Sequence, residues 1–245
     1  MLRLALYLGA NFAILAVLSV AFRLFGIDSL LQANGVDLNL TALLIFAGVL
    51  GFAGSLISLI LSKSMAKAAM RVQVITTPRS AVERWLIETV HAQADRAGIG
   101  RPEVGIFDHP SPNAFATGWN SNDALIAVST GLLHHMDRGE VEAVLAHEVS
   151  HAANGDMVTL ALIQGVVNTF VIFLSRIAGL LFDRLILRIE RGYGPGFWIV
   201  SLIMEMALGV LAMAIVMWFS RWREYRADAA SARLGYKPGM IRALQ

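Results

Sequence analysis

Residues 138–157 read RGEVEAVLAHEVSHAANGDM, and the rest of the chain is best read outward from them. Small and apolar residues recur at helical spacing from Arg138 to Ala153, and Asn154-Gly155 supplies a stop. Inside this helix His147-Glu148-Val149-Ser150-His151 forms an HExxH pattern. Residues four apart share a helix face, so both imidazoles reach one point. Glu148 stands one position round from His147, beside that point. Neutral imidazoles suit zinc, and a carboxylate at the metal's open position can take a proton from water. With six histidines in 245 residues, chance predicts only about 0.005 such matches. The competing reading is a pair of helix-surface histidines.

The helix runs straight into apolar sequence. Met157 to Ser175 is uncharged, Arg176 interrupts, and the run resumes to Phe182. Another spans Phe197 to Ser220 with Glu205 inside it, and two more precede the helix, Leu4 to Phe22 and Leu38 to Ser62. A bilayer-spanning helix needs ~20 apolar residues, so all four are candidates. The first is too long for a signal h-region of roughly 7–15 residues and reads as a retained anchor. A buried hairpin in a soluble core, or a re-entrant hairpin, stays open for runs three and four. Arg176 and Glu205 sit at depths that differ by only ~6 Å at ~1.5 Å per residue, so they can pair between two helices.

Composition points the same way. Hydrophobic residues make up 56% and charged residues 16%, against about 25% charged in a soluble domain; mean hydropathy is +0.62. Disordered, coiled-coil and small disulfide-scaffold classes are excluded. The chain has no cysteine, which removes thiolate zinc sites, iron–sulfur clusters and cysteine nucleophiles. A net charge of +2 gives no basic footprint for nucleic acid.

Residues 63–156 have the composition of a small α+β domain. Arg71 to Thr76 alternates like a strand, Ser80 caps a helix that runs to Ala97 and stops at Gly98, and Glu103 to Phe107 reads as a second strand. Ala114–Gly118 and Ala124–Ser129 flank the turn-rich Asn120-Ser121-Asn122-Asp123. The expected domains are a two-helix anchor at 1–62, the α+β domain at 63–156, two further membrane helices at 157–220, and a C-terminal helix at 221–245.

A third ligand must come from outside the HExxH helix. Glu224-Tyr225-Arg226-Ala227-Asp228 follows the fourth apolar run directly, with Glu224 and Asp228 on one helix face. A ligand carboxylate, followed by an aspartate that orients a ligand histidine, is what such a site needs around it. A salt-bridged juxtamembrane cluster of Arg223, Glu224 and Arg226 is the alternative. Asn113 to Gly118 reads as a turn and short strand, whose edge could hold an extended peptide by backbone hydrogen bonds. His91, His109, His134 and His135 read as surface residues, and Asp156 as the cap of the third apolar run.

Loop 26–37 carries Asp28 and Asp37 and no basic residue, whereas Lys63, Lys67 and Arg71 follow run two and Arg221, Arg223 and Arg226 follow run four. The positive-inside rule puts the loop outside and residues 63–156 and 221–245 on the cytoplasmic side. Arg184, Arg188 and Arg191 between runs three and four weigh against a simple crossing there.

Taken together, two N-terminal anchors, NAFATG (Asn113–Gly118), STGLL (Ser129–Leu133), HEVSHAANGDM (His147–Met157) and SRWREYRAD (Ser220–Asp228) resemble the HtpX family of bacterial membrane zinc metalloproteases, related to the CAAX prenyl proteases. The resemblance covers nearly the whole chain. It implies four hydrophobic membrane helices and a small α+β zincin-like metalloprotease domain. It also implies one zinc ion on His147, His151 and Glu224, with Glu148 as catalytic base and Asp228 orienting a ligand histidine. Asn113 and Phe115 would line the substrate strand. The implied activity is a zinc endopeptidase of the bacterial inner membrane, its site facing the cytoplasm, acting on misfolded or damaged membrane proteins in quality control and stress. Prenyl-peptide processing and a noncatalytic zinc scaffold are the alternatives. Family members continue past the position of Gln245 through a His-Pro-Pro element, so the chain is expected to be C-terminally truncated. Arg221, Tyr225 and Arg226 are candidate oxyanion stabilisers by proximity alone.

Overall fold

A computed structural model describes residues 39–189 and 192–231, together with the isolated helical positions Gly9, Ala13, Ala16, Val17 and Val20. The first apolar run as a continuous span, loop 26–37, Arg191 and the tail from 232 lie outside the described residues. In chain order the elements are α1 (Leu40–Ala69), β1 (Gln73–Val74), α2 (Ala81–Ala97), β2 (Glu103–Phe107), β3 (Ala114–Asn120), β4 (Asp123–Ser129), α3 (Thr130–His135), α4 (Arg138–Asn154), α5 (Asp156–Leu185) and α6 (Pro195–Ser231). They divide into two units, one holding residues up to Ile57 and 160–218, the other 58–159 and the chain from Phe219.

The first unit is built from the apolar parts of α1, α5 and α6. Among the described residues these three helices are long and apolar enough to cross a membrane, with mean hydropathies of 2.4, 2.1 and 2.4 over their most apolar windows. Four such helices were expected; the first run is not among those described. The pattern is inside-out for water. Phe46, Val49, Trp198, Leu202, Met206 and Val210 are exposed, while Ser175, Ser201 and Thr169 are buried. Apolar side chains turned outward cost nothing in hydrocarbon, and inward hydroxyls find helix carbonyls. Ser201 Oγ accordingly donates to the Ser175 carbonyl at 3.1 Å. At Gly51 the helices come so close that a Cβ would lie 2.6 Å from Thr169 Oγ1. Arg176 and Glu205 do pair, Nη2 to Oε1 at 3.0 Å. The α5–α6 connection is tied down by Asp183, whose carboxylate accepts from the N–H groups of Gly194 at 2.6 Å and Phe197 at 3.0 Å.

The second unit is a four-stranded mixed sheet of order β1-β2-β4-β3. β2 and β4 are parallel, and the outer strands pair antiparallel. β4 (DALIAVS) is central and buried along most of its length. Its Ile126 and Val128 pack with Val104 of β2, Leu86 and Val90 of α2, Leu132 of α3 and Val141, Leu145 and Val149 of α4 in one core. α4 starts in a capping box between Asp137 and Glu140 and ends at Gly155 with φ 70°, a left-handed conformation that glycine adopts without strain. α2 is capped by Ser80 and stopped by Gly98 at φ 68°, as its sequence predicts. Lys63 and Lys67 near the end of α1 pair with Glu103 at 3.0 and 2.5 Å, and Lys63 also with Asp123.

Two expectations change. The strand over Arg71–Thr76 shrinks to Gln73–Val74, because the N–H groups of Met70 and Val72 still bond back to Ala66 and Lys67 at the end of α1. Residues 221–231 are not a separate helix; α6 continues through them to Ser231, since SRWREYRADAAS contains no glycine or proline to stop it.

Candidate metal centre

The reversal at Gly155 decides the geometry of the site. α4 presents His147 and His151 on one face, and the chain turns at once into α5, so Asp156 folds back on the histidines. The far end of α6 supplies Glu224 and Asp228, all within the second unit. His151 Nε2 and His147 Nε2 are 3.1 Å apart. Glu224 Oε2 is 3.2 Å from His147 Nε2 and 3.3 Å from His151 Nε2. These three atoms form a nearly equilateral triangle. For bonds of roughly 2.0–2.1 Å, the edge of a tetrahedral zinc site is about 3.3 Å, so the donor set fits that metal. Two imidazole nitrogens and a carboxylate oxygen facing one point also demand a shared cation or proton, since lone pairs alone repel.

The opposite ring nitrogens are held by carboxylates. His151 Nδ1 is 2.7 Å from Asp156 Oδ2, and Asp156 is 2% exposed. A carboxylate only accepts, so Nδ1 carries the proton and Nε2 keeps its lone pair for a metal. His147 Nδ1 is 2.9 Å from Asp228 Oδ1, close but oblique to the ring N–H, so no directed hydrogen bond forms. Burial lowers the proton affinity of His151. The Asp156 hydrogen bond and the charges of Glu148, Glu224 and Asp156 outweigh it, so its pKa is raised overall. Glu148 is raised above the usual carboxylate range by burial, against the lowering effects of His147, His151 and a hydrogen bond from the Ala116 N–H.

That Ala116 contact places Glu148 against the free edge of β3. The Ser129 N–H donates to the Asn113 carbonyl at 2.9 Å, so Asn113 faces β4. By antiparallel alternation, Phe115 and Thr117 do too. Ala114 and Ala116 then present their backbone groups outward. Phe115 packs its ring 5.5 Å from that of Phe107. The expected substrate strand is thus an edge strand whose outward backbone groups belong to Ala114 and Ala116, the Ala116 N–H being held by Glu148.

A family model described as peptidase family M48 matches residues 80–245. The chain belongs to peptidase family M48. It is 59% identical over its full 245 residues to a protein named Protease HtpX from Pseudoalteromonas atlantica, of which it covers 84%. It is 62% identical over 243 residues to one of the same name from Nitrosococcus oceani, covering 82%. A crystal structure of S. mikatae Ste24p shares the fold at a TM-score of 0.62 and 19% identity, over 95% of this chain and 57% of that one. The chain is a zinc-dependent metalloprotease of a bacterial membrane.

Sequence reading of this peptidase missed Asp156 as a histidine partner. The signal was there: an aspartate directly after the Asn154-Gly155 stop is the first residue able to fold back on the helix it leaves. Asp156→Asn is expected to weaken zinc binding about 10–100-fold at pH 8, the usual cost of losing such a support. The pH dependence has a definite sign. The raised pKa of His151 means protons compete with zinc from a higher pH than at an ordinary histidine, and affinity falls as pH drops through it. Removing the Asp156 charge lowers that pKa, so the onset of competition moves to lower pH. Zinc affinity measured against pH checks both; an unchanged onset and affinity would refute the role.

His91 Nε2 sits 3.2 Å from the Pro102 carbonyl, His109 Nδ1 lies 3.2 Å from the Ser111 carbonyl, and His135 Nδ1 is 2.7 Å from the Gly131 carbonyl. Those histidines, like exposed His134, stand outside the ligand cluster. Of the residues named as oxyanion candidates, Tyr225 is 74% exposed and Arg226 stacks on Trp222 at 4.9 Å.

Proposed function

We propose that the chain is an endopeptidase for misfolded or damaged membrane proteins, working at the cytoplasmic face of the bacterial inner membrane. The observation that carries the reading is the Nε2–Nε2–Oε2 triangle with Glu148 beside it. His147, His151 and Glu224 hold one zinc ion, which when bound supplies a Lewis acid that polarises the scissile carbonyl and acidifies water. Glu148 is the general base: it takes the proton of the attacking water and hands it to the departing amine. Burial holds its proton affinity up, which suits a group that must first accept and then donate. Asp156 aims His151 through its hydrogen bond, and the Asp228 carboxylate beside Nδ1 of His147 attracts that ring by charge. An extended substrate adds to the β3 edge through Ala114 and Ala116, antiparallel pairing holding the scissile bond next to Glu148. The same edge belongs to a zincin-like domain.

The bilayer is the setting. Run one is the fourth membrane helix of this reading. Lys63, Lys67 and the arginines after Ser220 favour a cytoplasmic site. Glu224 follows Ser220 by about 6 Å of helix, which keeps the metal near the lipid surface, where loops and ends of membrane proteins are within reach. A role in envelope stress fits substrates of that kind.

The test is cleavage of an unfolded membrane-protein substrate by detergent-purified chain, with zinc quantified and with prenylated and unprenylated peptides alongside. Cleavage of the unfolded protein, irrespective of prenyl groups, is expected. Zinc-loaded protein that cuts only prenylated peptides, or nothing, overturns the reading.

A further inference from the structure

Arg223 stands one residue before Glu224 and turns inward, with its side chain only 13% exposed. Its guanidinium meets three groups. Nη2 donates to Ser220 Oγ at 3.1 Å, Nη1 lies 3.4 Å from the Asp156 main-chain carbonyl, and Nη2 is 3.9 Å from Glu224 Oε1. Nε is buried with no hydrogen-bond partner. Arginine stays charged at any physiological pH, and a buried charge needs a counter-charge. The one acid within ion-pair distance of it among the described residues is Glu224. A solvated juxtamembrane cluster, as the sequence allowed, would leave this side chain in water.

The two oxygens of Glu224 are divided between different partners. Oε2 faces both histidine Nε2 atoms, and Oε1 faces Arg223. The residue that receives Nη1 through its carbonyl, Asp156, also holds His151 through its carboxylate. One guanidinium therefore connects the α6 ligand with the turn that aims an α4 ligand, across 67 residues of sequence. The planar fork serves these groups from two separate nitrogens, whereas an ammonium concentrates its donors on one atom.

We propose that Arg223 is a positioning residue of the metal centre: by engaging Glu224 Oε1 and the Asp156 carbonyl, it makes Glu224 present one oxygen to zinc and keeps the remaining coordination position free. The proposal rests on the zinc-site reading above. It concerns how Glu224 binds, not whether it does.

The experiment uses the full chain in detergent, with zinc affinity from competition against a chromophoric chelator and the visible spectrum after cobalt substitution. Arg223→Ala is expected to weaken zinc binding about 10–100-fold. The intense cobalt bands of a four-coordinate site should weaken as Glu224 swings to bind through both oxygens. A helix clamp alone would lower the melting temperature of the metal-free chain without altering the cobalt spectrum, and that pattern overturns the proposal. So does zinc affinity within about threefold of wild type. Should Arg223→Ala not fold, Arg223→Lys decides. It keeps the charge but not the fork, so weaker zinc binding with a dimmer cobalt spectrum is expected, and wild-type values would overturn the proposal. Glu224→Ala runs in parallel. If it retains zinc, the site reading itself fails; if it loses zinc while Arg223→Ala keeps it, only the positioning role fails.

Discussion

Glu148→Gln in this chain is expected to abolish cleavage, lowering the rate by at least the roughly 10²–10⁴-fold that a positioned acid–base group contributes, while bound zinc stays at the wild-type level. The substitution is nearly isosteric. Glutamine can still accept the Ala116 N–H that the carboxylate accepts now, so the packing between α4 and β3 survives. What disappears is the proton acceptor. Glu148 is not one of the three residues whose ligand atoms converge, so metal content has no reason to change. Proteolysis of an unfolded substrate, with zinc quantified on the same preparations, checks both halves. Active Glu148→Gln protein would remove the base assignment. Inactive protein that had also lost its zinc would show that Glu148 supports the metal instead.

The second large effect is at Glu224. Glu224→Ala is expected to cost more zinc affinity than the roughly 10–100-fold that an outer partner is worth, because it removes a corner of the ligand triangle. The remaining corners are two imidazole nitrogens 3.1 Å apart, a poor site without the carboxylate charge. Glu224→Asp separates charge from reach: the charge remains, but the shorter side chain pulls the oxygen back from nitrogens now 3.2 and 3.3 Å away. Partial zinc occupancy is the expected outcome there. Unchanged zinc content in Glu224→Ala at matched purity would take Glu224 out of the ligand set. Both variants lose cleavage in proportion to zinc lost, which distinguishes them from Glu148→Gln.

Much of the architecture was legible because its physics is local. Ser80 and Gly98 bound α2, Asn154-Gly155 ends α4, and the strand pair around Asn120-Ser121-Asn122-Asp123 emerges as β3 and β4. Helix periodicity, capping and turn chemistry act over a few residues, so a linear reading finds them. The Arg176–Glu205 pair was also legible, since helix rise converts sequence distance to depth. The shortened β1 was not, because whether Arg71 and Val72 stay with the helix or join the sheet is a competition between two hydrogen-bonding partners. Nor was the continuity of α6 past the apolar run, because a change of solvent looks in composition like a change of element.

The sequence by itself determined the chemistry on offer: two histidines four apart with a glutamate between them, two acids four apart beyond the last apolar run, no cysteine, and apolar runs long enough to span a bilayer. Spacing along one helix is enough for that. The tertiary structure alone decided which atoms meet. It brought Glu224 Oε2 to the histidines across 77 residues, turned Asp156 back onto His151, set Glu148 against Ala116, and drew Arg223 out of the solvent. Those contacts depend on a left-handed turn at Gly155 and on the end of α6 reaching the histidines of α4. Long-range packing of that kind is a property of the folded core, and no local pattern in the chain encodes it.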